Sequence, residues 1–165
     1  NQKSSGFGID LRGVRKLEGA RNPQITYGFA AGTTGFRQTG LETNKTYDGG
    51  QKQFNRYGYL YRPELTNLAV ATLAVGVRPS RKFSMDVGLH AYAQLKPSTT
   101  APSARISGRT TGQSRFVGTE ISLVGAWRPS KKSKLQFGVG LFKPGSAYED
   151  RSSFSKTYVQ LSIYF

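Results

Sequence analysis

Apolar and polar residues alternate with a period of two along several stretches of this chain. From Phe83 to Leu95 the odd positions read Phe83, Met85, Val87, Leu89, Ala91, Ala93 and Leu95, and the even ones Ser84, Asp86, Gly88, His90, Tyr92 and Gln94. Successive strand side chains point to opposite faces, so this stretch predicts a strand with one apolar and one polar face. A helix would scatter the same apolar residues around its circumference. Val117, Ile121, Leu123 and Trp127 likewise oppose Glu120, Ser122 and Arg128. Leu135, Phe137, Val139 and Leu141 oppose Gln136, Gly138 and Gly140. Val159, Leu161, Ile163 and Phe165 oppose Tyr158, Gln160, Ser162 and Tyr164. Upstream, Phe7, Ile9 and Leu11 oppose Asp10 and Arg12, and Ile25, Tyr27 and Phe29 oppose Thr26 and Gly28. Leu68 to Val77 is apolar on both faces, which leaves its orientation open. The pattern predicts about seven strands.

The connections alternate in length. Lys16 to Pro23, Arg78 to Lys82 and Arg128 to Lys134 are short and rich in turn residues, and the two Arg-Pro-Ser turns resemble each other. Residues 33–67, 96–115 and 143–156 are long and polar. Short turns at one end and long loops at the other are the pattern of an antiparallel transmembrane β-barrel of the bacterial outer membrane. The terminal Phe165, on an alternating strand, resembles the signal read by the barrel assembly machinery. With a last strand that descends, the first of about seven strands descends too. A barrel closes with an even number, so residues 1–165 are expected to form one domain that is a sector of a larger wall. The competing arrangement is a soluble β-sandwich or barrel whose apolar face packs a core. A small self-contained barrel, serving as an adhesin or lipid-binding protein, would need an eighth strand from residues 54–61.

Composition fits a two-faced wall. Hydrophobic residues are 36% of the chain, the formal charge is +15 and mean hydropathy is −0.47. Such values ordinarily suggest disorder, but aromatics are 12% and Gly numbers 20. No run approaches the roughly 20 apolar residues of a membrane helix. No apolar signal region stands near the N-terminus. Cysteine is absent and His90 is the single histidine, so no metal or other cofactor site is expected. His90, Asp86, Glu120, Ser84 and Ser122 share one face, yet no nucleophile motif surrounds either serine, and no catalytic residue is assigned. Gly138-Val139-Gly140 and Gly6-Phe7-Gly8 lie in strands and do not open a helix, which excludes a nucleotide fingerprint. The pI of 10.3 raises a nucleic-acid module, but the apolar strand faces leave no clustered basic-aromatic platform, and no nucleic acid is expected as a partner.

The middle of the chain carries a resemblance. Phe36-Arg37-Gln38-Thr39-Gly40-Leu41, then Tyr57-Gly58-Tyr59-Leu60-Tyr61-Arg62-Pro63-Glu64-Leu65-Thr66-Asn67-Leu68, a strand ending at Arg78-Pro79, the Trp127 to Ser130 turn and the Phe142 to Arg151 loop are similar to blocks of the alginate export family of outer-membrane porins. Tyr59 stands where that family often has Glu, and Thr66 where it often has Ser. The resemblance implies a barrel of about eighteen strands with a positively charged pore for alginate, a polyuronate. It also implies outer-membrane lipid, lipopolysaccharide and periplasmic export components as partners. Eleven upstream strands would make the first strand here descend, in agreement with the parity of the loops. A general anion-selective porin for small solutes is the alternative with the same fold.

A pore for a uronate polymer needs distributed positive potential and sites weak enough to leave. Most of the 24 Lys and Arg residues fall in turns and loops; only Lys3, Arg12 and Arg15 lie near the first strand. The candidate substrate-guiding residues are Arg37, Arg56 and Arg62, beside the family-like blocks, followed by Arg105, Arg109, Arg115 and Arg12. Solvated loops or lipopolysaccharide contacts would account for the same charges. Pro63, Glu64 and Asn67 are expected to shape the loop: Pro63 by its restricted backbone, Asn67 by bonding nearby backbone, and Glu64 by pairing with a loop arginine.

Overall fold

A computed structural model describes residues 5–37, 45–46 and 54–163. Strand formation follows the period of two. β1 (Gly8–Lys16), β2 (Gln24–Gly32), β5 (Leu68–Ser80), β6 (Phe83–Gln94), β7 (Phe116–Ser130), β8 (Ser133–Pro144) and β9 (Phe154–Ile163) form one antiparallel sheet of seven strands in sequence order. β3 (Lys45–Thr46) and β4 (Phe54–Asn55) pair separately within the loop between β2 and β5. Each strand thus pairs with the next large one, as in an up-and-down meander. Among the described residues β1 and β9 are the open edges.

The distribution of exposure across the sheet is the reverse of a soluble protein's. Ile9, Leu11, Tyr27, Phe29, Leu73, Val75, Val87, Leu89, Ile121, Trp127, Val139, Leu141, Val159, Leu161 and Ile163 all stand exposed on the outer face. Gln24, Thr26, Thr72, Ser84, Asp86, His90, Gln94, Glu120, Ser122 and Lys134 are buried on the inner face. A soluble sandwich buries its apolar face; this sheet exposes it, as a wall in lipid does. The outer row of β6 from Phe83 to Ala93 would span ~26 Å along the membrane normal at ~3.4 Å per residue and ~40° tilt. That matches the ~25 Å apolar band of such barrels. The orientation of β5, open in the sequence, is settled: Leu68, Val70, Thr72, Ala74 and Gly76 are buried inside, while Ala71, Leu73 and Val75 are exposed outside. On the outer face Tyr27 lays its ring over its cross-strand partner Gly13, and Phe137 does the same over Gly125. An aromatic ring there replaces the missing side chain of the glycine.

The structure corrects several local expectations. The Arg-Pro-Ser segments are not turns but the ends of strands; the turns are Arg81-Lys82 and Lys131-Lys132. Pro79 and Pro129 each fall where the register shifts, between Val77 and Ser80 and between Trp127 and Ser130. A bulge there accommodates a residue without an N–H. Both hairpins are tied alike to the preceding turn, Arg78 N donating to Arg21 O (2.7 Å) and Arg128 N to Lys82 O (2.8 Å). Val117 was expected to face outward with Ile121, but it is fully buried. A bulge against Tyr92 and Ala93, with Gly118 at φ +147, turns Val117 inward and Phe116 outward. Residues 54–61 do not add an eighth strand to the sheet: Phe54–Asn55 pair with Lys45–Thr46, and the rest run across the inner face. Phe165 lies outside the described residues.

Candidate pore-lining site

The inner face is covered by the segment Arg56–Leu65, which follows β4 and enters β5. Tyr57, Tyr59, Leu60, Tyr61 and Leu65 are buried and pack with Tyr92 and Phe142. Tyr61 stacks on Phe142 at 4.6 Å and meets Tyr92 edge-on at 4.8 Å. The register places Arg12, Gly28, Thr72, His90, Glu120 and Phe142 in one row across the sheet. The segment crosses near that row. At its start Arg56 pairs with Asp10 (3.3 Å), Tyr57 donates its hydroxyl to the same oxygen (2.8 Å), and Thr72 donates to Arg56 O (3.0 Å). In its middle the backbone N–H groups of Tyr59, Leu60 and Tyr61 donate to the Glu120 carboxylate at 2.5, 2.9 and 2.8 Å. The Tyr92 hydroxyl lies 3.3 Å from the same carboxylate. At its end Glu64 N donates to Ser103 O and Arg105 N to Tyr61 O. The result is a strap held from β1 to the loop after β6.

Gly58 makes the crossing feasible. Its φ is +102, and a side chain there would collide with the Tyr92 hydroxyl and Glu120. Gly140 leaves room under Tyr59 and Leu60 in the same way.

Of the candidate arginines, the structure brings together two groups. Arg12 and Arg56 line one crevice with Asp10 and Tyr57 on the β1 side. Arg62 and Arg105 flank Tyr59: Arg62 lies over its ring at 5.7 Å, donates Nε–H to Tyr59 O (3.0 Å), and feels the charge of Arg105. Burial, then Arg105, lowers the Arg62 pKa. Burial raises the Tyr59 phenol against the opposing pull of both arginines. Arg37 is exposed and borders a cleft of about 680 Å³ together with Glu64, Asn67 and Gln94. Arg109 and Arg115 are exposed on the loop after β6, their backbone carbonyls accepting from Glu149 N and Gln94 N.

Pro63 is buried. Asn67 adopts φ +54, and its side chain bonds both Lys96 N and Lys96 O, tying the entry of β5 to the end of β6. Glu64 is exposed and forms no ion pair among the described residues. The carboxylate that holds this loop is Glu120. In the sequence it was only a neighbour of His90 on the polar face, and no local signal links it to a segment some 60 positions upstream. His90 instead shares a 3.0 Å hydrogen bond with Thr72 Oγ1. Asp86 is taken by Arg78 in a nearly buried 2.6 Å ion pair. Thr72, Asp86, His90 and Glu120 of this face are thus bound to neighbours on the wall or to the strap, and among the described residues no cluster of metal-ligating side chains occurs.

Comparison with known proteins agrees with this architecture. The family model for alginate export matches residues 7–162. The chain is also 28% identical, over 163 residues, to the alginate production protein AlgE of Pseudomonas aeruginosa, an alignment that takes in 86% of this chain and 33% of that protein. The chain therefore spans about a third of the length of the curated relative it matches. The family is one of transport and not of catalysis. With its seven-stranded antiparallel wall, apolar outside and polar inside, this chain belongs to the alginate export family of outer-membrane β-barrels.

Proposed function

We propose that this protein is an outer-membrane porin through which an anionic polysaccharide of the alginate class leaves the cell, and that the present strands are one sector of its wall. The observation that carries the reading is the inner face itself. It is polar, it is crossed by a strap, and the strap bears Arg56 and Arg62 with Arg105 beside it. Arg62 and Arg105 are not locked in carboxylate pairs among the described residues. Cations placed in a confined space raise the local concentration of a polyanion, and loosely held ones let it go again. The sector reading is supported by the open edges of the sheet and by the share of the relative that the chain spans. A sheet of this width closed on itself would leave no channel for a polymer.

Planar-bilayer recording of the full-length protein tests the proposal. Under a KCl gradient the reversal potential should report anion preference, and uronate oligomers should block the current. Neutral oligosaccharides of the same length should block far less. Anion preference without selective block by uronates would identify a general anion porin instead.

A further inference from the structure

We infer that Glu120 is the positioning residue that sets the width of this pore, by holding the strap across the inner face as a constriction. The inference rests on the porin reading and deepens it.

Glu120 is 1% exposed. Both of its oxygens are engaged, one by the amides of Tyr59 and Leu60, the other by the amide of Tyr61 and the Tyr92 hydroxyl. Three successive N–H groups converging on one carboxylate form an anion-binding nest, and the anion is supplied by the wall. Among the described residues no other contact of the strap gathers three N–H groups on one acceptor. Its start is tied to Asp10, on the β1 side, and its end to Ser103 in the next loop. Between those points Glu120 accepts from three consecutive backbone N–H groups of the strap, and the Tyr92 hydroxyl beside it lies 3.1 Å from Tyr57 O. Gly58 fits the same account, since a side chain there would collide with Glu120 and Tyr92.

Removing the acceptor leaves three buried N–H groups without their partner, each a substantial cost. The strap belongs to a long loop that can regain water by leaving the inner face. The wall itself, held by its ladders, does not depend on Glu120. Gln at this position keeps the shape but offers one oxygen and a donor NH₂, which would oppose the Tyr61 N–H.

The experiment uses full-length protein folded in detergent, with folding checked by heat-modifiable migration. Glu120→Gln and Gly58→Ala are each recorded in bilayers in KCl. A conductance increase of about two-fold or more in both is expected, as widening a channel predicts. A Leu60→Cys probe, introduced where these 165 residues carry no cysteine and with any cysteine elsewhere in the full-length protein replaced by serine, should be unreactive to maleimide with Glu120 present and reactive in the Glu120→Gln background. Unchanged conductance, with Leu60→Cys equally shielded in both backgrounds, would overturn the inference. Should Glu120→Gln fail to fold, the Gly58→Ala conductance decides in the same sense. KCl conductance does not involve the polymer. A widened pore that uronates never block therefore keeps the clamp and removes the polysaccharide reading, and a uronate-blocked pore unchanged by either substitution does the opposite.

Discussion

At the scale of single residues, positions differ in what a small change removes. Asn67 holds a left-handed backbone, φ +54, and two hydrogen bonds to Lys96. Asn67→Ala loses both bonds and strains the backbone, an expected cost of ~1–3 kcal/mol, whereas Asn67→Gly loses the bonds but keeps the conformation and should cost less. Urea titration of the folded barrel in detergent micelles checks the order. Tyr61 and Tyr148 share a 3.0 Å hydrogen bond between hydroxyls, and burial raises both phenols. An acid whose folded pKa is raised favours the folded state while it is neutral. That stability is fully present below the ordinary tyrosine value of about 10 and is lost as pH rises through the raised values. The contact between strap and loop should therefore loosen only above about pH 10, visible as delayed tyrosinate absorbance. Tyr61→Phe should leave the ionisation seen below that pH unchanged.

At the scale of elements, the wall strands have two faces with opposite tolerance. Leu89 stands mid-belt on β6, exposed on the outer face and paired with Leu73 and Ile121. Leu89→Arg should destabilise folding into lipid by ~2–4 kcal/mol, the cost of a cation near the bilayer midplane. The same strand seen as a soluble sheet face would lose almost nothing, so the size of the change identifies the solvent. On the inner face of the turn end, Arg78 and Asp86 form a nearly buried ion pair, and Arg78 also donates to Met85 O. Asp86→Ala leaves that guanidinium without its carboxylate and should cost ~3–5 kcal/mol. The second Arg-Pro-Ser hairpin places Gln136 where the first has Asp86, so among the described residues Arg128 has no such partner, and it is exposed. The same Arg-Pro-Ser strand end thus leads into both hairpin turns, while the ion pair belongs to the first of them.

At the scale of the whole molecule, the proposed pore is narrowed by the strap, which carries cations to its edge. Reversing charge at Arg62 and Arg105 together, by substitution with Glu, should weaken anion preference and raise the uronate concentration needed for half-block about ten-fold, while leaving the wall folded. Such a change corresponds to ~1.4 kcal/mol of lost attraction. Bilayer recording across a salt series checks it, because the attraction should fade as the Debye length shrinks. Arg109 and Arg115 should matter little by comparison, since it is Arg62 and Arg105 whose charges act on Tyr59 of the strap.

Much of this was legible in the chain. The alternation at Phe83–Leu95 and Leu135–Leu141 determined strands, their two faces and the meander, because side-chain direction in a strand is a local property with a period of two. Short basic turns and long loops determined which strand ends lie together. Only the tertiary structure decided the orientation of β5, since a strand apolar on both sides gives no preferred face until neighbours pair with it. It also decided that Tyr57–Tyr61 turns inward and meets Glu120. That contact joins groups about 60 positions apart, through backbone amides that every sequence possesses. What singles these amides out is their convergence on one buried carboxylate, and convergence exists only once the sheet and the strap are in place.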